Sequence, residues 1–329
     1  MTATSFGAVI VNYNCAPLAL DAALSFVGAG GARAVIVDNA STDGSADYFS
    51  AALSGSKRHE FTPPPDQFPS GTVVPAVLDD RISILNSPKN GGFSHGCNQG
   101  LRLLFEDASL THFLLLNPDA LLASVALRAF SERLEEKQIG LCGATIVDFE
   151  APHCIQAYGG ASLDPFWLVG RNLGEGAALE DASRQGAVES VLTYPLGAAM
   201  AFRRDYLRSV GPLDERYFLY YEEADWAFAA APDFKVGWAR EAIVYHRYGG
   251  SSKSRRNHAG GQVERSPVSD FHMTRSRILF AAKWRPHLAM LAAAAGGAQA
   301  ATRIFRGKGE NARAVLRASL TTPLLARSA

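Results

Sequence analysis

Four unbroken apolar runs, each ending in a polar, glycine-tolerant turn, dominate the first 120 positions of this 329-residue chain. They read "FGAVIVNY" (6–13), "RAVIVD" (33–38), "RISILN" (81–86) and "HFLLLN" (112–117). Continuous rather than alternating apolar residues are the pattern of strands covered on both faces. Between the runs, "PLALDAALSFV" (17–27), "SADYFSAAL" (45–53) and "FSHGCNQGLRLLFED" (93–107) are long enough to be crossover helices. Asn14 and Asp43 stand as N-caps of the first two, and Pro17 suits a first helical turn. This alternation predicts βαβ units and an open α/β sheet.

In open α/β sheets ligands sit beyond the carboxyl ends of the strands. Those ends read "NYN" (12–14), "DNASTDGS" (38–45), "NSPKNGGFSHGCN" (86–98) and "NPDA" (117–120). Taken singly, each is also a good turn or helix cap. Together they converge on one edge, which packing alone does not explain. None is G-x-G-x-x-G or a phosphate-cradling G-x-x-x-x-G-K-[ST], so a dinucleotide fold and a P-loop are disfavoured. Asp38 can accept from a ribose or base N–H, and Tyr13 can stack on a base. "KNGGF" offers backbone N–H groups unobstructed by Cβ atoms. In "NPD", Pro118 lets Asn117 and Asp119 point the same way, which suits a hard divalent ion that keeps waters and substrate oxygens.

The stretch 55–80, rich in proline, glycine and polar residues, reads as a surface-loop insertion. From about 140 to 250 the pattern is mixed, with "IGLCGATIV", "SVLTYPLGAAMAFRR" and "KVGWAREAIVYH" as strand candidates. Beyond 265 it turns helical, starting at a Ser-Pro cap signal in "SPVSDFHMTRSRILFAAKW". A formal net charge of zero conceals an asymmetry. Residues 250–329 hold 14 Lys+Arg against 3 Asp+Glu, leaving 18 and 29 for the first 249. A basic C-terminal third suits an anionic partner or a solvated helical face. It has little aromatic interleaving and no nucleic-acid motif, so no nucleic-acid partner is expected. The four cysteines have no metal-like or scaffold spacing, which suits reduced thiols in a cytoplasmic setting. The start "MTATSFGAVIVNYN" lacks the charged and apolar regions of a signal peptide, and no run of roughly 18 uninterrupted apolar residues occurs.

A later stretch, "YYEEADW" (220–226), crowds Glu222, Glu223 and Asp225 among aromatic residues. With "VIVNYN", "VIVDNASTDGS", "NGGFSHGCNQGL", "LLLNPDALL", "GAAMAFRRDYLRSVGPLDERYFLYYEEADWAFA" and "VYHRYGGSS" in this order, the chain resembles the inverting family 2 glycosyltransferases. These have the GT-A fold, a Rossmann-like architecture of nucleotide-diphospho-sugar transferases, and the rhamnosyltransferase-like branch is the most similar. The resemblance spans roughly residues 6 to 285. It implies an α/β fold with a mixed central sheet and a helical C-terminal extension. The implied organisation is a catalytic domain at 1–265 and a basic helical extension at 266–329. Within the domain, 1–120 is the nucleotide-sugar-binding half and 121–265 the acceptor half.

The resemblance also implies roles. Tyr13, Asp38, Asn90, Gly92, Phe93, Asn98 and Asn117 are expected to bind the nucleotide sugar. Asp119 and His246 are expected to hold a divalent metal, Mg²⁺ or Mn²⁺. Gly197 and Ala198, small residues where a sugar can approach the backbone, are read with Trp226 as the acceptor side. The general base aligns with Glu223, where the resembling enzymes carry aspartate, and Glu222 and Asp225 remain alternatives. The implied reaction moves a sugar, L-rhamnose from dTDP-L-rhamnose or another sugar such as one from a UDP-sugar, to a saccharide or lipid-linked saccharide in cell-surface polysaccharide assembly. A non-catalytic nucleotide-sugar-binding scaffold is the other reading. Expected partners are donor and acceptor, an anionic membrane touched through residues 266–329 at the inner face of the cell membrane, and a second copy in a homodimer.

Overall fold

The structure, a computed structural model, describes residues 4–64, 79–177, 185–231, 233–247 and 265–326. The apolar runs form β1 (Phe6–Asn12), β2 (Arg33–Asp38), β3 (Ile82–Asn86) and β4 (His112–Leu116), separated by α1 (Ala16–Gly28), α2 (Ser45–Leu53) and α3 (Phe93–Phe105). These bounds lie within two residues of the sequence reading. Short elements follow: β5 (Ala120–Leu122), α4 (Ala126–Leu134), β6 (Ile139–Asp148), β7 (Ile155–Tyr158), β8 (Gly160–Leu163) and β9 (Gly170–Asn172). After them come α5 (Gln185–Glu189), β10 (Tyr194–Pro195), β11 (Ala199–Arg203), α6 (Arg204–Val210), α7 (Glu222–Ala230) and β12 (Lys235–His246). The chain closes with α8 (Pro267–Trp284), α9 (Ala289–Phe305) and α10 (Gly309–Ala326).

The sheet runs β3-β2-β1-β4-β11-β6-β12-β5, with β7 attached to β6. β1 pairs in parallel with β2 and β4, whereas β11 lies antiparallel to both β4 and β6. The sheet is therefore mixed, and the fold is α/β with a helical C-terminal extension. Alternate residues of β1 serve opposite layers. Ala8 and Ile10 belong to one buried cluster with Phe26 of α1, Phe49 of α2 and Phe130 of α4. Val9 and Val11 share the opposite buried cluster with Leu101 of α3, Tyr206 of α6 and Trp226 of α7. Burying such side chains stabilises by about 1.5–3 kcal/mol each, which is why these strands read as unbroken apolar runs. At the edge, β3 is only half-buried beyond Ile82.

Two expected caps are corrected. Asn14 lies in the left-handed region (φ 59°), and its Oδ1 accepts from Thr42 N at 2.7 Å rather than capping α1. The capping position of α1 is Cys15, whose N–H donates to Asn12 Oδ1 at 3.3 Å. For α2 the capping residue is Gly44, in the left-handed region, although Asp43 Oδ1 accepts from Ser45 N at 3.0 Å. The Ser-Pro signal holds: Ser266 Oγ accepts from Ser269 N at 3.1 Å at the start of α8. Of the insertion at 55–80, positions 65–78 lie outside the described residues. Its first part folds back, where His59 Nε2 meets Asp21 Oδ1 at 2.7 Å.

The extension is stapled to itself and to the domain. Asp270, fully buried on α8, takes both Nε (2.8 Å) and Nη2 (3.0 Å) of Arg303 on α9, and Asn311 Nδ2 of α10 at 2.8 Å. Phe280 of α8 packs on Tyr221 and Phe228, at the start and within α7.

Candidate active site

The strand order places its switch point between β1 and β4: from β1 the chain goes outward through β2 and β3 and returns to the other side at β4. The turns after β1 and β4 border the crevice there, where α/β sheets bind ligands. Burial pushes the Cys15 thiol up to about 11, and among the charges that add to this are Asp119, Asp43 and Asp38. Asp38 and Asp43, from the turn after β2, and Asp119, from the turn after β4, are thus all near enough to act on Cys15.

Asp119 leaves β4 through Asn117-Pro118. Asn117 N–H donates to Ala198 O at 3.0 Å, and Ala120 N–H returns to Asn117 O at 3.1 Å, closing a tight turn into β5. Because β5 pairs antiparallel to β12 with Ala120 opposite His246, the strand end brings the imidazole to Asp119. Nε2 of His246 lies 3.4 Å from Asp119 Oδ1. The other ring nitrogen, Nδ1, is 2.8 Å from Gln156 Oε1 on β7.

The acids of α7 are presented by unusual backbone. Tyr220 and Tyr221, both at φ 69°, lie in the left-handed region. Bulky residues rarely adopt it, and each costs about 1–3 kcal/mol, a strain that clusters at functional sites. The turn starts α7 so that Glu222 and Glu223 occupy its first positions, beside Gly197 and Ala198. A Cβ on Gly197 would lie 2.2 Å from Glu223 Oε1, so only glycine lets this carboxyl rest over the backbone. Burial pushes Glu223 up to about 7, against the backbone amides of Glu223 and Gly197, which lower it. Glu222, 3% exposed, is raised well above the usual carboxylate range, first by burial and then by Glu223. Its Oε2 has no hydrogen-bond partner among the described residues, as suits a protonated acid.

Asp119, Asn117, His246, Glu222, Glu223, Gly197, Ala198 and Phe93 all line one cavity of about 540 Å³. Five expected site residues lie outside its lining, four of them held there by their own contacts. Asp38, 4% exposed, accepts from Asn12 Nδ2 at 2.7 Å and from Ser41 Oγ. Asn98 brackets Leu213, donating to its carbonyl (2.9 Å) and accepting from its amide (3.0 Å). Asn90 Oδ1 accepts from Asn39 Nδ2 and Gly92 N, both at 3.0 Å. Gly92, at φ 90°, admits the backbone of Phe218, whose carbonyl a Cβ would meet at 2.4 Å. Tyr13 is 43% exposed on the loop after β1, open to a flat ligand.

Two residues of the acidic motif also face elsewhere. Asp225, 3% exposed, accepts from Lys283 Nζ (2.8 Å), Trp284 Nε1 (2.7 Å) and Tyr217 OH (3.1 Å), which fastens α7 to α8. Trp226 is 2% exposed in the core, edge-on to Phe202 and Tyr206, with its indole N–H on Gly211 O at 2.9 Å. The geometry therefore separates Glu222 and Glu223, in the cavity, from Asp225 and Trp226, behind it.

The cavity also holds residues that the sequence did not single out. Tyr194 of β10 lines it, and its phenol is raised by burial and then by Glu223. Arg265, Thr274 and Arg277, beside and on α8, and Gln299 of α9 close it from the extension. Gln156 supports it from behind; the signal was a polar side chain inside the apolar run "IQAY". Among the described residues no group of three or more His, Cys, Asp or Glu side chains is gathered for a metal. Asp119 and His246 fit a cation that takes most of its ligands from water and substrate oxygens.

No family model matches the chain, and no curated protein matches it. Among solved structures it is similar to crystal structures of S. aureus TarS. To TarS itself the TM-score is 0.43 at 10% identity, over 84% of this chain and 39% of that one. To TarS 1-349 in complex with UDP it is 0.43 at 10% identity, over 84% and 66%. To TarS 1-349 in complex with UDP-GlcNAc it is 0.44 at 10% identity, over 84% and 67%. Likeness this distant assigns no activity.

Proposed function

We propose that the chain is a nucleotide-sugar glycosyltransferase of the GT-A kind that works by inverting displacement. The observation that carries this is the meeting, in one cavity, of Glu223, held near pH 7 by burial, with the Asp119–His246 pair at the strand ends. A base poised near the working pH is what removal of a proton from an acceptor hydroxyl requires. In the proposed reaction the Glu223 carboxylate takes that proton, the hydroxyl oxygen bonds to the anomeric carbon, and the bond from that carbon to the diphosphate oxygen breaks. Attack opposite the leaving nucleoside diphosphate inverts the anomeric centre. Glu222, neutral beside the base, donates a hydrogen bond to the acceptor, and Gly197 holds the base in place. A divalent ion, Mg²⁺ or Mn²⁺, would be held by Asp119 and His246 and would neutralise charge on the diphosphate.

The resemblance favours dTDP-L-rhamnose as donor, with UDP-sugars the alternative. It favours a lipid-linked saccharide of cell-surface polysaccharide assembly as acceptor. We also propose that the chain works in the cytoplasm against the inner membrane face, touching anionic lipid through the extension. Calorimetric titration with nucleotide sugars, alongside product assays, tests the transferase reading. Glu223→Gln should keep donor affinity while transfer falls by about 10²–10⁴-fold. Unchanged turnover would remove Glu223 as base, and donor binding with no transfer by the wild type would favour a binding scaffold.

A further inference from the structure

The cavity has cations that the chemistry above does not use. Arg265, one residue before the Ser266 cap, and Arg277, on α8, both line it. Most cationic side chains nearby are paired: Arg303 with Asp270, Lys283 with Asp225, and Arg216 with Asp214. Among the described residues, neither Arg265 nor Arg277 has a carboxylate within ion-pair distance. Arg277 Nη2 donates to Ala292 O of α9 at 3.3 Å, which orients the guanidinium, while its Nε is buried with no hydrogen-bond partner. A buried guanidinium N–H without a partner is costly, and an anion in the adjoining cavity would satisfy it.

Placement says which molecule brings the anion. Burial raises the Tyr221 phenol to about 12, and Arg277 and Arg265 are near enough to pull it the other way. Ser276, next to Arg277, donates to Leu219 O at 2.9 Å, and Phe280 packs on Tyr221 and Phe228, so the stretch of α8 that carries Arg277 lies beside the helix that carries the base. In an in-line displacement the acceptor enters on the side of the base, and the donor's diphosphate leaves on the other. In the proposed reaction the donor's charge would be met by the divalent ion that Asp119 and His246 hold. A neutral sugar hydroxyl would need no guanidinium, whereas a phosphate matches its planar fork.

We propose that Arg265 and Arg277 form a subsite for the phosphate or diphosphate of the acceptor, built by the C-terminal extension. This rests on the transferase reading. The extension is then part of the site: it selects acceptors carrying a phosphate near the receiving sugar, as a lipid-diphosphate-linked saccharide does. A second cationic subsite also separates two diphosphates that would otherwise repel in one cavity.

Geranyl diphosphate, a soluble prenyl diphosphate, and a nucleoside diphosphate serve as separate probes in calorimetry on the full chain. Geranyl diphosphate should bind the wild type without nucleotide. Arg265→Gln and Arg277→Gln should each weaken it by about 10-fold or more, the worth of a charged hydrogen bond. Nucleoside diphosphate affinity should stay within about two-fold. Arg265 is exposed, so its variant tests the subsite even if Arg277→Gln loosens the contact with α9. Equal loss of both ligands would assign the arginines to the donor and overturn the proposal. Unchanged geranyl diphosphate affinity in both variants, or none in the wild type, would overturn it too. If the wild type binds geranyl diphosphate through these arginines but no nucleoside diphosphate, the subsite stands and the transferase reading fails.

Discussion

Gln156 and His246 are joined by two hydrogen bonds that decide which ring nitrogen faces Asp119. The Gln156 amide nitrogen donates to the His246 carbonyl at 2.9 Å, so its Oε1 must face Nδ1, 2.8 Å away. Nδ1 therefore carries the proton, and Nε2 turns toward Asp119. A metal-binding imidazole needs this arrangement, with one nitrogen held by a neighbour and the other presented to the ion. Gln156→Leu should weaken Mn²⁺ binding by about 10–100-fold, read by electron paramagnetic resonance in the presence of nucleoside diphosphate. Mn²⁺ affinity equal to that of the wild type would mean that the ring is positioned without Gln156.

The two glutamates of α7 predict a pH response in rate and another in stability. With Glu223 raised to about 7 and active as the carboxylate, transfer should rise about tenfold per pH unit below 7 and level off above it. Glu222 is raised still more strongly, so over the window between the ordinary carboxylate range and its folded value the folded chain holds a proton that the unfolded chain releases. Stability from this group is therefore complete at low pH and lost as pH rises. Glu222→Gln removes that loss. Its melting temperature relative to the wild type should improve by roughly 2–4 °C from about pH 5 to about pH 8. A constant difference across that range would show that Glu222 titrates normally.

Gly197→Ala separates positioning from folding. The new Cβ meets the end of a flexible side chain, Glu223 Oε1, so the carboxyl can swing away at little cost to the fold. The swing takes the base from its place and from the Gly197 amide that holds its pKa down. Transfer should fall by about 10²-fold with the melting temperature within about 2 °C. The acidic limb of the rate profile should move upward. Loss of activity and fold together would make Gly197 a packing glycine only.

Much of the domain is legible because its central strands are buried on both faces, which forces the unbroken apolar runs of β1, β2 and β4. The acids and the histidine of the cavity were legible for a similar reason, since each stands at the end of a recognisable strand or in a distinctive motif. Short elements were not. β5 has three residues and follows the Asn-Pro-Asp turn without a break, so no periodicity marks it. Asp225 could not be told from its neighbours, because what removes it from the cavity is Lys283 and Trp284, 58 and 59 positions away. Arg265 and Arg277 were hidden in the same way, as two cations in a basic stretch whose pairing is set by tertiary contacts.

The outer face of the extension makes the last prediction. From Ala289 to Thr302, α9 carries no charged residue, and the stretch Pro286–Phe305 is long and apolar enough to cross a membrane by length and composition. Its apolar side chains at Met290 (64% exposed), Ile304 (60%) and Phe305 (90%) face outward, as does Leu320 of α10 (72%). In the same stretch of the extension Arg306, Arg313 and Arg317 are exposed, with Lys308 half-buried and Glu310 the one exposed acid among the described residues. Exposed apolar side chains in a stretch with more cations than acids suit a helix lying in an anionic lipid surface. Cutting the chain at Arg285 would be a poor test, because Asp270 would be left buried without Arg303 and Asn311. Ile304→Ser with Phe305→Ser leaves that staple intact and removes about 2–4 kcal/mol of apolar burial in lipid. Flotation with phosphatidylglycerol vesicles should show partitioning of the wild type fall by about 10-fold or more in the variant. Binding should also fall on neutral phosphatidylcholine vesicles and with added salt. If the variant floats as well as the wild type but elutes as a smaller species, the face belongs to a second copy of the chain.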